Sequence, residues 1–330
     1  MNIPNSEKKP SARPPNPVFI QNSQQMEEIE YLGEKIRRWQ VGSSTFLVSP
    51  ERGARLMNWN ISFADGTFRD IIRWPQIESP DQIVKARGGN PILFPFNART
   101  FHEGEIGKWR DPDGQVRPMP MHGFARQGVF EITRIDQTGF GAKLIPGEEA
   151  TEAYPYEYDF EVIYRFEEKE LDVEFRLTNN DQRAIPWSAG HHFYFNLPWI
   201  EGTRRQDYKI RIPAKEACRQ NDQGLIYGVK TGKKSIPISD NDLVDRIHYR
   251  LTDSILVCEC DIDGSQIEIE VGTQEKPHSD YAVVTWTESD DSPFYCIEPW
   301  MGPPNSPENQ IGYHLVNPGE SGRFSVSVRI

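Results

Sequence analysis

Four stretches of the 330-residue chain set ionisable side chains among rigid or aromatic neighbours: RGGNPILFPFNAR (87–99), MPMHGFAR (119–126), WSAGHHFYFNLPW (187–199) and FYCIEPWMGPP (294–304). The most suggestive carboxylate among them is Glu298. It closes an apolar run and, on a regular strand, shares a face with Phe294, Cys296 and Trp300. A carboxyl placed there loses water, which disfavours its charged form and raises its pKa from the reference of about 4.3, making it a useful base near neutral pH. A structural ion pair with an arginine at the strand end explains the same residue equally well. Pro299 holds Glu298 to an extended backbone and favours one side-chain direction.

In the third stretch, strand alternation sends His192, Tyr194 and Asn196 to one face and His191, Phe193, Phe195 and Leu197 to the other. The second face needs a core, so the His192 face is expected to look into a wet cavity. Pro198, lacking an N–H, closes the strand. His122 precedes Gly123, where a sharp turn or the close approach of another backbone is possible. A histidine there either serves a cavity or is tied to a carbonyl inside the core. His191 reads as a core residue, and His102, His248, His278 and His314, scattered among loop-like residues, receive no role. A metal centre needs three or four convergent ligands, and adjacent His191 and His192 point apart on a strand.

The elements that position these groups read as strands. DFEVIYRF alternates Phe160, Val162, Tyr164 and Phe166, and LDVEFRL follows with Leu171, Val173, Phe175 and Leu177, a hairpin by pattern. ILVCECD and QIEIEV form a second hairpin through Asp263-Gly264, a favoured tight-turn pair. Tyr208–Ile212, Tyr281–Trp286 and the C-terminal run through Phe324, Val326, Val328 and Ile330 are further extended segments. Helical periodicity is scarce; the best helix candidate is Gln24–Leu32, and an edge strand over Glu30–Trp39 fits as well. Many short antiparallel strands, with 26 prolines and 25 glycines, predict an all-β, large antiparallel β-sandwich. The chain shows no fixed-period repeat of a propeller and no glycine-rich phosphate loop leading into a helix.

A hydrophobic content of 37% supplies an ordinary globular core. The net charge of −12 argues against a general nucleic-acid or anionic-membrane surface, although local arginines leave room for a small anionic substrate. Cys218, Cys258, Cys260 and Cys296 lack the paired spacing of a zinc site and the density of a disulfide scaffold, and read as free thiols in a reducing compartment. With no membrane-length apolar run and no signal-peptide core, a cytosolic location is the expectation. Residues 1–17, rich in Pro, Ser and charge, read as a disordered arm, and 18–330 as a single domain. None of these patterns sets an oligomeric state.

Taken in this order, GGNPILFPFNAR, MHGFAR, HFYFNL and CIEPW-x-G resemble the aldose 1-epimerase (galactose mutarotase-like) family, over roughly Tyr31 to the C-terminus. The resemblance implies a β-supersandwich with an open sugar cleft and no metal or organic cofactor. It also implies that Glu298 is similar to the family's general base and His192 to its general acid. His122 resembles the second cleft histidine that holds sugar oxygens, Arg99 the substrate-binding arginine, and Asp245 in DLVDRIHY the hydroxyl-binding aspartate. Arg87 and Arg126 are similar to phosphate-binding arginines of the hexose-6-phosphate epimerase branch, whereas Asn97-Ala98-Arg99 and Trp300 look more like the branch acting on free aldoses.

The function so implied is a mutarotase that interconverts the α and β anomers of an aldohexose by acid/base ring opening and closure. Two alternatives share the fold: a hexose-6-phosphate 1-epimerase and a carbohydrate-binding protein without turnover. A glycoside hydrolase would require two carboxylates flanking one bond, and only Glu298, with Asp245 as a possible partner, offers itself.

Overall fold

The computed structural model describes residues 25–231, 235–272 and 277–330. The expected arm over 1–17 lies outside the described residues. Two large antiparallel sheets dominate. One, of 13 strands, runs from the edge pair Gln25–Tyr31 and Glu34–Val41 through Ser44–Ser49, Arg55–Ser62 and Phe68–Ile72. It continues with Phe193–Asn196, Phe294–Trp300, Ala282–Trp286, Arg246–Leu251, Ala214–Gln220 and Ile226–Val229, with Gly190–His191 and Ile92–Leu93 attached beside Phe294–Trp300. The other, of nine strands, contains both expected hairpins: Tyr158–Glu167 with Glu170–Asn179, and Ile255–Cys260 with Gln266–Val271. The long strand Ser321–Arg329 joins the two hairpins.

The core lies where the apolar faces of these sheets meet, which is where alternation directed Phe160, Val162, Tyr164, Phe166, Leu171, Val173, Phe175 and Leu177, all buried. Phe166 of one sheet packs on Phe46 and Trp39 of the other, with ring centroids 4.5 and 5.1 Å away. Burying each such ring is worth about 1.5–3 kcal/mol, so this seam fixes how the sheets sit on each other. His191 belongs to it, fully buried and stacked on Phe175 and Phe193 at 4.2 and 5.0 Å.

One local expectation is overturned. Gln25–Tyr31 is a strand paired along its length with Glu34–Val41, rather than a helix over Gln24–Leu32. Tertiary pairing decides it: Glu28 meets Lys35 and Arg37, and Glu27 meets Arg38, across the ladder. Leu32 and Gly33, both at positive φ, make the two-residue turn. The loop-like reading of His102, His248 and His314 also fails, since all three lie in strands, Phe101–His102, Arg246–Leu251 and His314–Val316.

Candidate active site

The strand Phe294–Trp300 runs through the middle of the larger sheet and is buried along its whole length. Phe193 pairs with Ile297 and Tyr194 with Cys296; the same register carried one residue back sets His192 opposite Glu298. Non-adjacent strands in the sequence are thus joined so that an imidazole and a carboxyl become cross-strand neighbours. His192 Nε2 lies 3.6 Å from Glu298 Oε2. Glu298 is 3% exposed, and burial, helped by the charge of Asp245, holds its pKa well above the usual carboxylate value. His192 is pushed the other way, well below the ordinary imidazole value, by burial and then by His122, Arg55, Arg126 and Arg87. Both shifts run towards the neutral forms, because burial disfavours the charged state of each group. Among the described residues no arginine pairs with Glu298; the ionisable group within reach of its carboxyl is His192.

A buried asparagine holds the histidine strand in place. Asn90 Oδ1 accepts the backbone N–H of His192 at 3.0 Å, and its Nδ2 lies 3.0 Å from His191 Nδ1. The glycines before it allow this docking. Gly89 has φ +68°, and a Cβ there would stand 2.2 Å from the carbonyl oxygen of Leu56, the same carbonyl that receives the Asn90 N–H. The Gly89 carbonyl in turn accepts from the Tyr194 N–H. RGGN is therefore a clamp on the backbone that carries His192.

His122, at φ +67°, is folded back so that its Nδ1 accepts the Ala98 N–H at 3.1 Å while its own N–H donates to the Ala98 carbonyl. With Nδ1 occupied as an acceptor, the neutral ring carries its proton on Nε2. Burial, with Arg126 and Arg99 nearby, lowers the His122 pKa to about 3. The ring sits 5.4 Å from that of His192 and 6.2 Å from that of Trp300. The core alternative for His122, with its ring tied to a carbonyl, is replaced by a ring tied to an amide and facing His192. Gly123 makes the fold-back possible, since a Cβ there would meet the Phe94 carbonyl oxygen at 1.9 Å.

Three arginines act on His192 from nearby. Arg87 stacks over Trp286 at 5.0 Å and donates to Glu288 at 3.2 Å. Arg126 keeps a buried Nε without a hydrogen-bond partner. Arg55, fully buried and spent on the carbonyls of Ile83, Ala86 and Gly88, has its pKa lowered to about 10. Tyr194 lies among these cations, stacked on His192 with ring centroids 4.6 Å apart and planes 2° from parallel. Asp245, at φ +54° just before the strand Arg246–Leu251, acts electrostatically on Glu298 and is acted on by Arg219 and Arg99; partial burial raises its pKa. Arg99 is exposed. Glu298, His192, His122, Arg87, Arg126, Asp245 and Arg99 are therefore linked through one region, with Glu298 and His192 at its centre.

Three groups there carried no assignment from the sequence. Asn90 stands inside the quoted GGNP run, where a buried amide after two strained glycines was the available signal. Trp286 ends a short strand and packs its ring 6.1 Å from His192. Cys296, two residues before Glu298 on the same face, brings its sulfur to the pair: the ligand atoms of His192, Cys296 and Glu298 all lie within 4.8 Å of one another.

The aldose 1-epimerase family model matches residues 50–329. Among curated proteins, the chromosomal LacX protein of Lactococcus lactis subsp. lactis is 24% identical over 221 residues, 65% of this chain and 74% of LacX. Among solved structures, a galactose mutarotase-like protein from Clostridium acetobutylicum has a TM-score of 0.76 at 20% identity, covering 92% of this chain and 97% of that one. A galactose 1-epimerase from Lactobacillus acidophilus NCFM has a TM-score of 0.65 at 15% identity, covering 93% and 98%. At these identities the structural likeness establishes a shared galactose mutarotase-like fold.

Proposed function

The chain belongs to the aldose 1-epimerase family, and from that premise we propose that it is a mutarotase acting on a free aldohexose, with Glu298 and His192 as its base and acid. The observation that carries this reading is the buried His192–Glu298 pair, 3.6 Å apart, with the two groups pushed in opposite directions by burial. Opening a hemiacetal ring requires one proton to leave the C1 hydroxyl and one to reach the ring oxygen. A pair that holds one proton in total can do both and end with its own proton count unchanged.

Binding of sugar hydroxyls supplies hydrogen bonds that burial denied to the pair, and so draws it into the carboxylate–imidazolium form. Glu298 then takes the C1 hydroxyl proton as the C1=O bond forms, the bond from C1 to the ring oxygen breaks, and His192 protonates that oxygen. Rotation about C1–C2 turns the other aldehyde face inward, and closure with the proton roles reversed gives the opposite anomer. His122 Nε2–H, kept neutral by the depressed pKa, is a donor to a sugar oxygen, and Asp245 and Arg99 serve the remaining hydroxyls. Each positioned acid or base contributes about 10²–10⁴ in rate.

A second reading, a hexose 6-phosphate as substrate, is favoured by one feature: Arg126 has a buried Nε without a partner and stands with Arg87 around Tyr194 and His192. Planar guanidiniums suit phosphate oxygens. Polarimetry on freshly dissolved α-D-glucose, α-D-galactose and α-D-glucose 6-phosphate separates the readings. Acceleration of the free sugars supports the proposal, acceleration of the phosphate ester alone supports the second, and none of the three accelerated removes both.

A further inference from the structure

We infer that His192 Nε2, Cys296 Sγ and the Glu298 carboxylate form a binding site for a divalent cation of the zinc type, and that filling it shuts the sugar site. The binding claim stands on the geometry alone, and the shutting claim rests on the function proposed above.

The three ligand atoms lie within 4.8 Å of one another, with His192 Nε2 and Glu298 Oε2 at 3.6 Å. Around a tetrahedral zinc with bonds of about 2.0–2.3 Å, ligand atoms stand roughly 3.3–3.6 Å apart. The nitrogen–oxygen separation is already there, and rotation of side chains by about an ångström closes the rest. Cys296 and Glu298 are two residues apart on one strand, so their side chains share a face, and the register of Phe193 with Ile297 places His192 opposite them.

The donor set chooses the metal. A thiolate, an imidazole and one carboxylate suit zinc, cobalt or cadmium, whereas magnesium and calcium ask for six or more oxygens. Charge balances as well: the ion's two positive charges replace two protons, one from the thiol and one from the carboxyl, and the imidazole enters neutral. Three protein ligands leave the fourth tetrahedral position to water. The ion would occupy both the atom that receives the C1 proton and the atom that gives one to the ring oxygen. Zinc here is therefore an inhibitor and not a cofactor of ring opening.

The test is direct binding, read without reference to turnover. Titration of the full chain with cobalt(II) is expected to give a near-ultraviolet thiolate-to-cobalt band at one ion per chain. That band should vanish in Cys296→Ser and in Cys296→Ala, and persist in Cys258→Ser, which alters a thiol buried in the core elsewhere. Calorimetric titration with zinc should show at least tenfold weaker binding for Glu298→Gln. Absence of the band in the wild type, or its survival in both Cys296 variants, overturns the site. If the chain accelerates mutarotation, zinc should reduce the rate, a chelator should restore it, and galactose should weaken zinc binding. Zinc bound at one per chain with the rate unchanged overturns the shutting claim and leaves the site.

Discussion

His192 stands across the sheet from Glu298, its Nε2 3.6 Å from the carboxyl oxygen, although the two residues are more than a hundred positions apart in the chain. The relationship follows from strand register. A slip of one residue in the pairing of Phe193 with Ile297 would turn one of the two side chains into the core. What fixes the register is the apolar seam behind it, where His191, Phe193 and Phe195 are buried against the second sheet. Packing on one face of the strand thus sets the chemistry on the other.

The pH dependence of turnover should show this burial. His192 is held below the ordinary imidazole value and Glu298 above the ordinary carboxylate value. The His192 imidazole should therefore titrate below the range of a solvated histidine. We expect kcat/KM for mutarotation to show no inflection near pH 6.5, with the acid limb displaced below pH 6. An acid limb centred at 6.5 would mean that His192 is solvated in the working enzyme.

Asn90 should act through the strand it holds. Asn90→Ala leaves the buried His192 N–H and His191 Nδ1 without their partner, a loss of about 1–3 kcal/mol for each buried group left unpaired. The expected kinetic signature is a kcat lowered about tenfold with KM little changed, since the residue positions the acid without touching sugar. A raised KM with unchanged kcat would place Asn90 in sugar binding.

Gly123 is the tightest point of the His122 fold-back. It sits at φ +68°, and the Cβ of Gly123→Ala would meet the Phe94 carbonyl at 1.9 Å. Left-handed strain and the displaced backbone together should cost about 2–4 kcal/mol of unfolding free energy, measured by urea denaturation. An alanine variant as stable as the wild type would show that this loop repacks freely.

Histidines buried outside the catalytic pair predict how stability responds to acid. Burial lowers the His248 pKa to about 3, below its unfolded value of about 6.5. The unfolded chain therefore binds the proton first as pH falls, so this contribution is full above 6.5 and is lost progressively towards 3. Between pH 6 and 4 the unfolding free energy of His248→Gln should fall less steeply than that of the wild type, by about 1.4 kcal/mol per pH unit. Equal slopes in the two proteins would contradict the assignment of a neutral buried ring.

The hairpins were legible because alternation is strong where one face meets a core: Phe160, Val162, Tyr164 and Phe166, and Phe193, Phe195 and Leu197, are buried as it directs, although Ile163 and Tyr194 on the other faces are buried as well. Glu298 was legible as a desolvated carboxyl because its neighbours are apolar. Its partner His192 came only from the family resemblance, since pairing between Phe193–Asn196 and Phe294–Trp300 is a non-local choice that only the assembled sheet makes. The edge strand Gln25–Tyr31 was obscured for a related reason: its ion pairs to Lys35, Arg37 and Arg38 lie across a ladder, and in sequence they look like a mixed-charge helix face. The place of Cys296 beside the pair was masked by its own spacing, because its neighbours there come one from its strand and one from across the sheet.

The central claim, that Glu298 and His192 move the two protons of ring opening, is tested most directly by polarimetric turnover of the wild type beside Glu298→Gln and His192→Asn on the same free sugar. Faster decay to the same equilibrium rotation in the wild type, with each variant lower by about two or more decades in kcat, is the expected result. Wild-type turnover in either variant would contradict the claim.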